Sequence, residues 1–127
     1  MESSPIETVF PPTPESVAAA RRFLRAVLTR SGADERLIED AILALSELVT
    51  NAVVHARTEL RVRVTVDPDR VRVDVLDSGP GRAGPRTPAP PDLGGRGLHI
   101  VEQLSDRWAT RERDDGCGVW FELRRTL

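Results

Sequence analysis

The sequence predicts an α+β domain with two layers, in which three helices cover one face of a mixed, mostly antiparallel sheet. Apolar and polar residues alternate strictly over 60–66 and 71–75, a pattern typical of strands that bury one face. Two longer segments before them repeat apolar residues at helical spacing, and a shorter helix and two strands follow. The other face of the sheet is expected to be solvated and to carry arginines that serve solubility, namely Arg61, Arg63, Arg70 and Arg72.

Local signals set the expected limits of these elements. Pro14 is typical of the first position of a helix that Gly32 ends, and Asp34 is typical of a cap for the next helix. The segment from Gly79 to Gly97 is dense in proline and glycine and predicts an irregular lid. The expected elements are a strand over 6–10, helices over 14–31 and 35–56, strands over 60–66 and 71–75, a helix over 98–104, and strands over 108–113 and 119–124.

Length, charge and composition exclude several classes of function. The 127 residues fit a single domain, 1–127, and the net charge of −2 argues against a nucleic-acid partner. The 18 basic residues are all arginine, which excludes a P-loop lysine, a Schiff-base lysine and a kinase of the ordinary eukaryotic type. Any phosphate must therefore be held by backbone, arginine or metal. Cys117 is the single cysteine, which excludes an internal disulfide and a cysteine-built zinc site.

The amino-terminal segment has neither the cationic nor the apolar part of a signal peptide. No later apolar stretch is long enough to span a bilayer. We therefore expect a cytoplasmic protein with no membrane partner.

Two polar residues lie one helical turn apart in a segment that is otherwise almost apolar, Glu47 and Asn51. At 3.6 residues per turn they share one stripe of the second helix, opposite its core-facing side. Asn51 can supply one neutral oxygen to Mg²⁺, and Glu47 can orient or deprotonate an attacking hydroxyl. The alternative is a solvated helix face with ordinary helix-forming polar residues.

Two glycine clusters follow. Asp77 ends a strand and precedes Gly79 and Gly81, so an acceptor-only carboxylate lies beside backbone that a ligand can approach closely, as an adenine amino group requires. The segment 94–97, Gly-Gly-Arg-Gly, precedes the predicted third helix, where free amide groups attract phosphate. Each cluster alone also fits a simpler interpretation, a turn for the first and a common helix entry for the second.

The order and spacing of these segments resemble the GHKL superfamily of Bergerat-fold ATP-binding domains. Glu-x-x-x-Asn on a long helix is followed by Asp-x-Gly-x-Gly after a strand and by Gly-Gly-Arg-Gly-Leu before a helix. More closely, the segments 46–56, 95–101 and 104–108 are similar to small stand-alone bacterial proteins related to anti-sigma-factor serine kinases. The resemblance covers nearly the whole chain. It implies a Bergerat fold and ATP-dependent phosphorylation of a serine or threonine in a small antagonist protein.

The resemblance also implies roles for individual residues. Glu47 would be the general base, Asn51 a ligand of Mg²⁺, and Asp77 the contact to the adenine amino group. The lid would span about 82–94. The remaining nucleotide contacts would be Gly79 and Gly81 around the base, Gly95 and Gly97 at the phosphates, and their neighbours Gly94, Arg96 and Leu98.

Further expectations concern partners and one departure from the family pattern. The resemblance implies binding to a sigma factor or to an anti-anti-sigma antagonist, and it suggests a homodimer. Many relatives have Gly-x-Thr before the last strand, whereas this chain has Gly116-Cys117-Gly118. The missing threonine hydroxyl would lower affinity for adenine unless a water replaces it.

Two other functions remain open from the sequence. One is a module in which ATP only orders the lid and exposes a partner surface. The other is a histidine-kinase-type catalytic domain acting on a separate chain. Residues outside the motifs receive structural interpretations: His55 as a helix-end residue, His99 without a role, and Trp108 and Trp120 as packing residues.

Overall fold

A computed structural model describes residues 4–55, 58–77, 91–113 and 116–125. Within these ranges it describes the side chains of all residues except 91–97 and 111–117. Helices and strands in these ranges follow one another as the sequence predicts. The elements are β1 (Ile6–Phe10), α1 (Glu15–Arg30), α2 (Glu35–His55), β2 (Leu60–Val66), β3 (Arg70–Asp77), α3 (Pro91–Leu104), β4 (Arg107–Arg113) and β5 (Gly116–Arg124).

The strands form a five-stranded sheet in the order β1-β2-β3-β5-β4. All pairings between its described strands are antiparallel, so the expectation of a mixed sheet was wrong in this detail. The cause is topological. The chain leaves β3, passes through α3 and β4, and turns back from β4 into β5, so β5 lies between β3 and β4 and runs antiparallel to both. The predicted α+β class with helices on one face is confirmed.

The core lies between the sheet and the helix layer. Alternate residues of β2 and β3 are fully buried against it, including Val62, Val64, Val71 and Val73. The central helix α2 packs against both α1 and α3, and its start is capped as predicted, since Asp34 Oδ1 accepts a hydrogen bond of 2.8 Å from the Leu37 amide. No helix in the described residues is long and apolar enough to cross a membrane.

The third helix begins earlier than predicted. It starts at Pro91 instead of Leu98, so the expectation of irregular structure over 91–97 was wrong, and the first four residues of α3 overlap the predicted lid. Proline is well suited to the first helical position because its missing amide hydrogen has no partner there. The glycines that follow weaken a helix without forbidding it. The rest of the predicted lid, 82–90, lies outside the described residues.

The solvent-facing side of the sheet carries an ordered polar network instead of independent arginines. Two acidic side chains are buried there, Asp74 and Glu122, with residue exposures of 2% and 8%. Arg72 lies 3.2 Å from Asp74, Arg70 lies 3.4 Å from Glu122, and the Arg72 guanidinium is 4.3 Å from the ring centroid of Trp120. Solubility alone does not account for this arrangement, and Trp120 packs on this outer face beneath Arg72. Trp108, by contrast, packs against the core.

Arg125 connects the loop between α1 and α2 to the β2–β3 turn of the sheet. Its guanidinium donates hydrogen bonds of 3.1 Å to the carbonyl oxygens of Ser31, after α1, and of Asp67, in the β2–β3 turn. A hydrogen bond from a charged group to a partly buried acceptor contributes about 1.5–3 kcal/mol. The side chain of Arg125 therefore stabilises the fold at the end of the sheet away from Asp77.

Arg125→Ala is expected to lower the free energy of unfolding by about 2 kcal/mol, because two carbonyl groups lose a charged donor. Denaturant titration measures this loss directly. The neighbouring exposed Arg124 is the matched control, and Arg124→Ala should change the free energy by less than about 0.5 kcal/mol. Equal effects of the two substitutions would refute the role of the guanidinium bonds.

Candidate functional site

The α2 helix presents Glu47 and Asn51 on one stripe. Both side chains are partly buried, and residues four apart on a helix have Cβ atoms about 5–6 Å apart. The adjoining outward stripe carries two apolar side chains that are exposed, Leu43 and Val54. A carboxylate and an amide thus lie at the border between the core of the domain and solvent, where a ligand can reach both.

Asp77 is the last residue of β3 and lies on the face of the sheet that the helices cover. Val71, Val73 and Val75 alternate with it along the strand and are buried against the helix layer. One carboxylate oxygen, Asp77 Oδ1, is itself buried. An ionised carboxylate only accepts hydrogen bonds. Asp77 therefore offers a buried acceptor oxygen in the space between the sheet and the helix layer.

Chain topology brings Asp77 and the second half of α2 to the same end of the domain. Leu60, the first residue of β2, pairs with Asp77, and α2 ends at His55, only a few residues before Leu60. Five residues span at most about 18 Å. The C-terminal end of α2 therefore lies at the same end of the domain as Asp77, and Asn51 lies about one turn before it.

The start of α3 returns to this end as well. Only two residues separate the end of α3 from β4, and β4 runs towards the Gly116 end of β5, which pairs beside the end of β3. A 14-residue helix is about 21 Å long, which matches the length of the strand. Three segments with candidate site residues thus lie at the same end of the space between the sheet and the helix layer. They are the end of α2, the end of β3 and the start of α3.

The remaining predicted site residues divide into two groups. Gly79 and Gly81 lie outside the described residues. Gly94 to Gly97 lie within α3 instead of before it, and Leu98 lies within α3 as predicted. In this form of the helix the amides of Gly95 and Gly97 follow the first turn, where helical amides already bond to carbonyl groups. Contact of these two amides with phosphate therefore requires α3 to begin later than Pro91 when nucleotide is bound.

The described side chains offer no preformed metal cage. They contain no group of three or more His, Cys, Asp or Glu residues placed to hold a metal ion. His55 and His99 are both exposed. An amide oxygen such as that of Asn51 still suits Mg²⁺, which takes one or two protein ligands and completes its shell with water and substrate phosphates.

Known sequences that are similar to this chain point to one protein family. Residues 10–123 match the family described as the histidine kinase-like ATPase domain. The chain is 37% identical over 118 residues to the serine-protein kinase RsbW of Bacillus velezensis and 36% identical over 118 residues to that of Bacillus subtilis, covering 80% of this chain and 74% of each relative. The Staphylococcus aureus protein of the same name is 33% identical over 119 residues, covering 80% of this chain and 75% of the relative.

A solved structure has the same fold. It contains the RsbU and RsbW domains of a Mycobacterium tuberculosis protein and superimposes with a TM-score of 0.75 at 24% sequence identity. The match covers 96% of this chain but only 32% of that longer chain. The likeness therefore concerns the fold of one part of the mycobacterial protein.

Proposed function

Because this chain belongs to the histidine kinase-like ATPase domain family, we propose that it is a Mg-ATP-dependent serine/threonine protein kinase of the anti-sigma-factor type. Its proposed partners are a small antagonist protein, whose hydroxyl accepts the phosphate, and a sigma factor. What supports this proposal is that the C-terminal end of α2, the helix of Glu47 and Asn51, lies at the same end of the domain as Asp77, in a chain 33–37% identical to serine-protein kinases.

In the proposed complex, Asp77 recognises the base of the nucleotide. Its position at the end of β3, with a buried oxygen on the helix-covered face, suits an acceptor for the amino group of adenine. Guanine has a carbonyl oxygen at the corresponding position, so two acceptors would face each other. A buried acceptor that meets another acceptor loses a hydrogen bond and keeps its desolvation cost.

The stripe of α2 supplies the remaining polar groups. Asn51 would hold Mg²⁺ through its side-chain oxygen, and the ion would neutralise charge on the transferring phosphate. Glu47 lies one turn away at the solvent border, where a hydroxyl of a separate protein can reach its carboxylate. Glu47 takes the proton of that hydroxyl while the oxygen bonds to the γ-phosphorus and the bond from the γ-phosphorus to the bridging oxygen of ADP breaks.

Nucleotide selectivity tests the base-reading role of Asp77. Mg-ATP at about 100 times its Kd should raise the free energy of unfolding by about 2.7 kcal/mol, and Mg-GTP at the same concentration should raise it much less. Asp77→Asn should weaken ATP binding without unfolding the domain, because the amide fits the space but can present a donor where an acceptor is needed. Thermal shift assays measure each effect.

Asp69→Asn is the matched control, since Asp69 is exposed in the β2–β3 turn, and it should leave the nucleotide response unchanged. Equal stabilisation by ATP and GTP would remove Asp77 as the base reader. A large loss of nucleotide-free stability in Asp77→Asn would favour a structural role in a turn.

A further inference from the structure

Gly118 allows β5 to approach β3 unusually closely. The two strands pair with Leu76 opposite Gly118. A Cβ atom added at Gly118 would overlap the Val75 carbonyl oxygen and would lie 2.5 Å from Leu76 Cδ2 and 3.0 Å from Leu76 Cα. Real Cβ atoms do not tolerate such approaches, and two of these three atoms belong to the backbone of β3. A side chain at position 118 therefore requires a strand to move.

The need for glycine at this position is one of space. Gly32 is the glycine with a positive φ among the residues that the structure describes, at 82°, and no atom would contact a Cβ there within 4 Å. Gly118 is the opposite case, because its backbone suits any residue but its surroundings do not. Gly32 is thus required for its backbone conformation, whereas Gly118 is required because there is no space for a side chain.

The backbone that Gly118 contacts leads directly into Asp77. Val75 and Leu76 are the two residues before it, and β2 holds the other side of the strand through the pairing of Leu60 with Asp77. A displacement of Val75 and Leu76 is therefore transmitted to Asp77. One oxygen of this carboxylate is buried, so a shift of the strand changes the surroundings of that oxygen.

We propose that Gly118 is a positioning residue that fixes the adenine-reading carboxylate of Asp77 by letting β5 close against the end of β3. This inference rests on the proposed function of Asp77. It departs from the expectation, given in the sequence analysis, that adenine affinity falls because a threonine hydroxyl is missing at this position. In this chain the glycine is a requirement of the strand spacing, and a threonine at position 118 lowers adenine affinity.

The test compares ATP with purine riboside 5′-triphosphate, which lacks only the 6-amino group. Wild type should bind ATP roughly 10- to 100-fold more tightly, as expected for one hydrogen bond to a charged acceptor. In Gly118→Ala and Gly118→Thr this ratio should fall towards 1, with a smaller change in affinity for the analogue. Gly32→Ala, which is destabilised in the loop between α1 and α2 because of the positive φ there, should keep the wild-type ratio. A general loss of stability would lower both affinities and leave their ratio unchanged.

A double substitution identifies the atoms responsible. Leu76→Ala combined with Gly118→Ala removes the contact to Leu76 Cδ2 but keeps those to the Val75 carbonyl and to Leu76 Cα, so the ratio should stay low. Recovery of the ratio in this variant, or an unchanged ratio in Gly118→Ala, would overturn the proposal. Absence of any preference for ATP in wild type would instead overturn the base-reading role of Asp77, and the role of Gly118 with it.

Discussion

Glu47→Gln is expected to lower the rate of phosphate transfer to a protein hydroxyl by roughly 10²- to 10⁴-fold. Glutamine keeps the shape of the side chain and its ability to form hydrogen bonds, but it cannot take a proton from the hydroxyl. ATP affinity should survive, because the base is not needed to hold the nucleotide. Single-turnover transfer of labelled phosphate and equilibrium ATP binding, measured on the same preparation, separate the two effects.

The same helix provides a control for this substitution. Glu39 is exposed on α2 before Glu47, so Glu39→Gln makes the same change of charge away from the site. It should leave both transfer and binding close to wild type. Unchanged transfer in Glu47→Gln would remove Glu47 as the general base.

Asn51→Ala is expected to make nucleotide binding weaker and largely independent of metal. Asn51 supplies the one protein oxygen proposed for Mg²⁺, and the ion's remaining ligands come from phosphate and water. Affinity for ATP in the presence of Mg²⁺ should fall by at least about tenfold, whereas affinity measured with a chelator should change little. Titration of ATP with and without Mg²⁺ gives both values.

Thr50→Ala is the neighbouring control, since Thr50 is exposed on the same helix, and it should preserve the effect of Mg²⁺ on binding. If Asn51→Ala binds ATP with the same dependence on Mg²⁺ as wild type, the metal is held by other groups.

The helices and strands were predictable where one local signal dominated. Strict alternation fixed β2, and β1 was predicted over the same residues that the structure assigns, 6–10. Asp34 marked the start of α2 because a capping side chain acts within three residues of its own position. The stripe with Glu47 and Asn51 followed from helical spacing alone, before any tertiary contact was known.

The sequence is a poor guide where tertiary contacts decide the conformation or the packing of a residue against its local preference. The sequence predicts a start of α3 that is too late, because glycines at 94, 95 and 97 argue against a helix, although Pro91 can begin one. The sequence predicts Trp120 as a packing residue but not the face on which it packs, and its register beside Asp74 places it on the outer face under Arg72. Sequence patterns do not report such cross-strand neighbours.

The candidate site was predictable as a set of residues but not as an arrangement. Spacing along the chain selected Glu47, Asn51 and Asp77 as candidates for one site. That the end of α2 and the end of β3 lie at the same end of the domain became apparent only from the pairing of Leu60 with Asp77 and the short path from α2 to β2. The close approach at Gly118 depends on the distance between two strands, and no sequence pattern encodes that distance.

The most direct test of the central proposal is transfer of label from [γ-³²P]ATP, in the presence of Mg²⁺, to purified candidate antagonist proteins encoded near this chain. The account predicts label on a serine or threonine of one of them, with much less label when Glu47→Gln replaces wild type. ATP binding without label on any candidate would contradict the kinase assignment, and a module that uses ATP only to control partner binding would then be the better description.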